Sequence, residues 1–214
     1  MARWLKKRGP GLHHVMFDVD GLPSALQALK ERGIGFLGGM EERPHQLQAF
    51  IDPEQSHGGL IELGESRGRS GPVRARPGRP TFDHMGWAVT DMEGARSFFR
   101  LLDFEVGSTG PDTAVFACDH ASIKSSPCGI SLKAPSGEGP FSRYVAKHGP
   151  GIHHIMFAVC DLAKTAQALR KAGFRLTPEE PIPESHQQTW FVHPKDLQGI
   201  LVELGQPREI IPNR

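Results

Sequence analysis

Nine residues near the start of the chain, Gly11-Leu-His-His-Val-Met-Phe-Asp-Val, return 140 residues later as Gly151-Ile-His-His-Ile-Met-Phe-Ala-Val. Self-similarity at a constant distance constrains a fold more than any local propensity, because each copy must build the same supersecondary unit. The match runs on through Gln27, Ala28, Leu29 and Gly33 against Gln167, Ala168, Leu169 and Gly173. After one inserted residue, Gly58, Leu60, Glu62, Leu63 and Gly64 meet Gly199, Leu201, Glu203, Leu204 and Gly205. A weaker third copy opens at Asp83-His84-Met-Gly-Trp-Ala-Val.

Each copy reads as a strand, a helix and further strands, an α+β arrangement. His154 to Val159 alternates, with Ile155, Phe157 and Val159 on one face and His154, Met156 and Ala158 on the other. Asp161 as N-cap, Leu162, Ala166 and Leu169 at helical spacing, and Gly173 as a stop predict a short amphipathic helix over the Ile155 face. Strands resume at Thr189 to Val192 and Gly199 to Leu204, on either side of a His193-Pro194-Lys195-Asp196 turn. Ser142 to His148 predicts one more short helix. The sequence divides into a single module over residues 1–64, a linker over 65–81 and two modules over 82–207. Arg67, Arg69, Arg74, Arg76 and Arg79 stand among Gly, Ser and Pro in that linker, the composition of a solvated tether.

Several function classes fall away. Lys and Arg number 25 against 24 Asp and Glu, so no overall field favours nucleic acid or an anionic membrane surface. No apolar run approaches the roughly 18 residues of a membrane-spanning helix. Cys118, Cys128 and Cys160 form neither a CxxC pair nor an even set, which fits a cytoplasmic protein better than a disulfide scaffold. Neither a GxSxG elbow nor a glycine-rich phosphate loop stands at a predicted strand-helix junction. What remains is a small-molecule partner.

The repeat also places chemistry. His84 and His154 open strands at equivalent positions, and Glu203 closes the last strand of the module that His154 begins. Two imidazoles and a carboxylate on one sheet face suit a divalent first-row cation and leave coordination positions open to substrate or water. His14 and Glu62 copy His154 and Glu203, which adds them to the candidate metal ligands. His13 and His153 should turn to the opposite face in structural or supporting roles, and Met16 and Met156 in packing. His57, His186 and His193 fall in predicted loops.

These strings resemble the vicinal-oxygen-chelate superfamily, whose unit is a βαβββ module and whose paired modules form a cupped, barrel-like mixed β-sheet around one divalent metal. The resemblance covers about residues 1–64 and 82–206. Lys147-His-Gly-Pro-Gly-Ile-His-His-Ile-Met-Phe, Phe191-Val-His-Pro-Lys and Gly199-Ile-Leu-Val-Glu203-Leu are most similar to the methylmalonyl-CoA epimerase branch. The resemblance implies His84, His154 and Glu203 as ligands of iron, cobalt, manganese, nickel or zinc, with Glu203 also moving protons. It implies an isomerase or epimerase working beside a metal-bound carbonyl of a small acyl thioester or 2-oxo acid. Two positions depart from that branch. Ser131 stands where a Gln or Glu fourth ligand is expected, and Asp112 and Asp119 are the only acids where a catalytic base is expected, neither an evident match. The three-ligand set resembles instead the non-haem Fe(II) dioxygenases, and a non-catalytic resistance-type binding protein is the third implication. Modules of this kind work in pairs, so the single module of residues 1–64 predicts a homodimer, with His14 and Glu62 of two chains around a second metal.

Overall fold

The computed structural model describes residues 5–6, 9–66, 79–125, 128–184 and 187–207. Arg67, Arg69, Arg74, Arg76 and His186 lie outside these residues.

The first module runs β1 (His14–Asp18), α1 (Leu22–Glu31), β2 (Phe36–Arg43), β3 (Gln46–Ile51) and β4 (Leu60–Ser66), in a four-stranded sheet of order β1-β4-β3-β2. The second has β5 (Thr81–Ala88), α2 (Met92–Leu101), β6 (Glu105–Val106), β7 (Gly110–Pro111), β8 (Cys118–Lys124) and β9 (Gly129–Pro135). After α3 (Pro140–His148), the third has β10 (Gly151–Ala158), α4 (Leu162–Lys171), β11 (Leu176–Pro183), β12 (Gln187–Val192) and β13 (Leu201–Pro207). The last two modules share one sheet of order β11-β12-β13-β10-β5-β9-β8-β6, with β7 attached to β8. The opening strands β5 and β10 join antiparallel at its centre. Each also pairs in parallel with the closing strand of its own module, β5 with β9 and β10 with β13. No helix among the described residues is long and apolar enough to cross a membrane.

Local chemistry repeats with the modules. Asp91 and Asp161 cap α2 and α4 by accepting from Gly94 N and Lys164 N at 3.0 and 2.8 Å. Leu22 N and Leu162 N, the opening donors of α1 and α4, donate to Glu65 and Gln206 side chains at 2.8 Å in both cases. Gly33 and Gly173 end their helices at φ 88° and 89°, a left-handed conformation that only glycine adopts without strain.

The first module does not stand alone on its helix side. Leu22, Leu26, Ile61 and Leu63 share one buried cluster with Met85, Trp87, Phe98 and Phe99 of the second module. The Phe17 and Phe104 rings meet tilted, 5.0 Å apart, and Trp87 donates its indole N–H to His57 O at 3.2 Å. Contacts with the third module are reciprocal. A Cβ on Gly58 would lie 2.1 Å from Pro150 O, and one on Gly199 would lie 2.1 Å from Pro10 O, residues that correspond in the repeat. The apolar surface under α1 is therefore covered by the same chain. The open side of this module is the sheet face opposite α1, where Leu37 remains 47 % exposed, together with the outer edge of β1.

Candidate metal centre

Strand pairing brings His84 and His154 together. Their strands meet in a register that sets Ile155 against Met85, with His154 opposite Gly86 and Met156 opposite His84. The two rings stand 5.7 Å apart, nearly perpendicular. Glu203 arrives from β13, where it lies opposite Met156 in the parallel ladder. The ligand atoms of His84, His154 and Glu203 all lie within 4.8 Å of one another, the single such group of three or more His, Cys, Asp or Glu among the described residues.

The surroundings suit a cation. His154 Nε2 is buried without a hydrogen-bond partner, although Glu203 Oε2 is 3.0 Å away. Two ligand atoms each about 2.1 Å from a shared ion, at a right angle, would stand about 3 Å apart. Burial, followed by the neighbouring His84 and Lys133, holds the His154 pKa well below its usual value, so the imidazole is neutral and its lone pair available. His84 Nδ1 is 2.8 Å from Asp83 Oδ2, leaving Nε2 for the metal, the orientation a carboxylate behind a ligating histidine provides. His153 Nδ1 sits 2.9 Å from His154 Nδ1. Its ring packs 4.5 Å from Phe141 and 4.6 Å from Tyr144 on α3. The strand is bulged between Ile152 and His154. Glu203 accepts from Gln187 and Thr189 at 3.3 Å each, and burial raises its pKa.

Gly86 belongs to the centre for a steric reason. A Cβ there would fall 1.9 Å from Cε1 of His154. Gly86→Ala is expected to displace that ring and weaken cation binding by at least about 10-fold, as displaced supporting contacts do. Competition with a chelating dye measures it.

Ser131 lies beside Gly86 in the β5–β9 ladder. His193 caps the short 3₁₀ turn Pro194–Asp196, accepting from Lys195 N at 3.2 Å, and His57 takes positive φ in a turn against Phe98. His14 and Glu62 face each other at 3.2 Å in the first module.

Sequence reasoning missed Lys133 and Glu184, and it named Asp112 without giving it a match. Lys133 and Asp112 form a largely buried ion pair, and Lys133 lies 5.9 Å over the Phe116 ring. Burial works against ionisation of Asp112, but Lys133, together with the Thr113 N–H and His120, more than offsets it and holds the carboxyl below its usual range. Cys118 donates to Asp112, and burial pushes that thiol up to about 12, so it stays protonated. The other missed residue is Glu184, whose pKa is raised by burial and then by Glu203, and whose Oε1 is buried without a partner. Asp112 precedes Ser131 by the same interval as Glu184 precedes Glu203, so the two acids are equivalents in paired modules. That interval was the available signal.

Residues 83–193 match the profile described as the glyoxalase/bleomycin resistance protein/dioxygenase superfamily. The ethylmalonyl-CoA/methylmalonyl-CoA epimerase of Cereibacter sphaeroides is 37 % identical over 134 residues, 58 % of this chain and 96 % of that protein. The methylmalonyl-CoA epimerase of Mycobacterium tuberculosis superposes with a TM-score of 0.56 at 30 % identity, covering 59 % of this chain and 87 % of that one. A Streptomyces coelicolor methylmalonyl-CoA epimerase variant in complex with 2-nitronate-propionyl-CoA gives 0.54 at 30 % identity, over 59 % and 96 % of the two chains. With its paired modules, its cupped sheet and more than half its length matched, the chain belongs to the glyoxalase/bleomycin resistance protein/dioxygenase superfamily.

Proposed function

We propose that the chain is a divalent-metal-dependent epimerase that inverts the carbon next to the thioester carbonyl of a short 2-substituted malonyl thioester. The observation that carries this reading is the grouping of His84, His154 and Glu203 in a cup that also holds two carboxylates of opposite tendency, Asp112 and Glu184. Similarity to epimerases of acyl-CoA substrates supports the substrate class. A cation held by the three ligands would supply Lewis acidity toward the thioester carbonyl, favouring loss of the adjacent C–H proton.

The chain's own groups then divide the proton transfers. Asp112, kept ionised by Lys133, accepts the proton at its carboxylate oxygen. Glu184, pushed toward the protonated form, donates to the carbon from the other module. Glu203 stays with the cation, where Gln187 and Thr189 orient it. Phe116, Phe141 and Phe191 pack together in the cup and exclude water from the reacting carbon.

The test is incubation of cation-loaded protein with one epimer of methylmalonyl-CoA in deuterium oxide. Deuterium at C2 with inversion, stopped by chelation, is the expected result. Silence toward acyl thioesters, with Fe(II)-dependent oxygen uptake on a catechol or 2-oxo acid, would move the reading to the dioxygenases, which the three-ligand set beside Ser131 favours.

Lys133→Met tests the ion pair separately. A carboxyl whose folded pKa is depressed adds stability above its unfolded pKa and loses it as pH falls through the folded value. The variant should therefore cost about 3 kcal/mol at neutral pH, the usual loss when one partner of a buried pair is removed, and less in acid. The acid limb of the rate profile should move to higher pH. Denaturant melts and pH-rate profiles read both.

A further inference from the structure

The first module repeats around His14 and Glu62 much of the arrangement that surrounds His154 and Glu203. His14 Nε2 lies 3.2 Å from Glu62 Oε2, as His154 Nε2 lies 3.0 Å from Glu203 Oε2. Met16 pairs with Glu62 as Met156 pairs with Glu203, in the same parallel register. Gln46 donates to Glu62 at 2.7 Å as Gln187 donates to Glu203, and those glutamines correspond in the repeat. Phe50 stands 6.3 Å from the His14 ring as Phe191 stands 6.2 Å from the His154 ring. The half-centre has no counterpart of His84, which in the complete centre comes from the strand paired with β10, and Gln48 stands where Thr189 bonds Glu203. Its equivalent, β1, pairs with β4 alone and has no strand on its outer edge among the described residues.

We propose that the outer edge of β1 pairs antiparallel with β1 of a second copy of this chain, and that His14 and Glu62 of both copies hold one shared divalent cation. The register follows from the β5–β10 pair, where His154 and His84 flank the Ile155–Met85 rung. Transferred to a two-fold pair, Val15 stands opposite the partner's Val15 and the two His14 side chains flank the axis on one face. A closed isologous contact satisfies the open backbone edge of β1. Two imidazoles and two carboxylates make a complete set for zinc, nickel, cobalt or manganese, where one copy supplies half. The inference does not rest on the epimerase reading.

Sedimentation equilibrium and cobalt analysis of the full chain, dialysed against cobalt(II), test it. At roughly 10 µM the chain should be a dimer carrying about three cobalt ions per pair of chains, one of them shared. His14→Ala should lower the content to about two per pair and raise the dimer dissociation constant at least about 10-fold. Glu62→Gln, which keeps the hydrogen-bonding volume, should do the same, and a thermal melt checks that both variants fold. If the centre at His84 binds no cobalt, the shared site still leaves about one ion per pair, abolished by His14→Ala. A monomer under these conditions, or a dimer whose cobalt content ignores both substitutions, overturns the proposal.

Discussion

A chain with His154→Ala is expected to purify without cation at the principal centre and to epimerise acyl thioesters at least about 10³-fold more slowly, the several kcal/mol that Lewis-acid assistance supplies. His154 is the most buried of the three ligands, and its Nε2 has no hydrogen-bond partner. Its loss therefore removes a cation contact without breaking a protein hydrogen bond at that atom. His84 and Glu203 together leave too few donors to retain an ion against chelator. The cost to the fold should be moderate, because the strand register is set by backbone pairing with β5 and β13. Metal analysis, a thermal melt and the exchange rate at C2 give the three readings. Full occupancy of the centre in a folded variant would remove His154 from the ligand set.

Asp112→Asn carries the second large effect, a fall in turnover of about 10²- to 10⁴-fold, the usual contribution of a positioned proton acceptor. The amide keeps the volume and can still accept a hydrogen bond from Cys118, but it cannot take a proton. Cation binding should be unchanged, since Asp112 is outside the ligand group. A variant that loses rate and keeps its cation separates proton transfer from metal binding. Turnover retained within about threefold would instead leave Asp112 as a structural partner of Lys133. Glu184→Gln sharpens the distinction, because inversion needs a second group whereas deuterium exchange with retention needs only one. In that variant exchange should outlast inversion, and equal loss of both would contradict the division of roles.

Much of the principal centre was legible in order and parity alone. An offset near 140 residues identified repeated units before any strand was assigned, and alternation in His154 to Val159 put His154 on the face away from the helix. The Asp161 cap, the Gly173 stop and the His193 turn are local chemistry and appear where the residues predicted them. His153 lies beside His154 as His13 lies beside His14, an arrangement that simple alternation does not give. The pairing of Asp112 with Lys133 was illegible for a related reason. They lie on an irregular stretch after a two-residue strand and on β9, with no periodicity to join them. Only curling the sheet buries both and makes each the other's counterion.

The sequence by itself determined the repeated unit and the residue types at the candidate site, because repetition and period-2 patterning are properties of neighbours along the chain. Tertiary structure decided which faces meet. An apolar pattern states that a surface must be covered but not by what, and the first module covers its helix side with the second module while β1 keeps an open edge. It also decided that His84 and His154, 70 residues apart, come together with Glu203, since that depends on the antiparallel register of β5 and β10. Register is set by the sum of side-chain packing and backbone hydrogen bonds across two strands, a quantity neither strand carries alone.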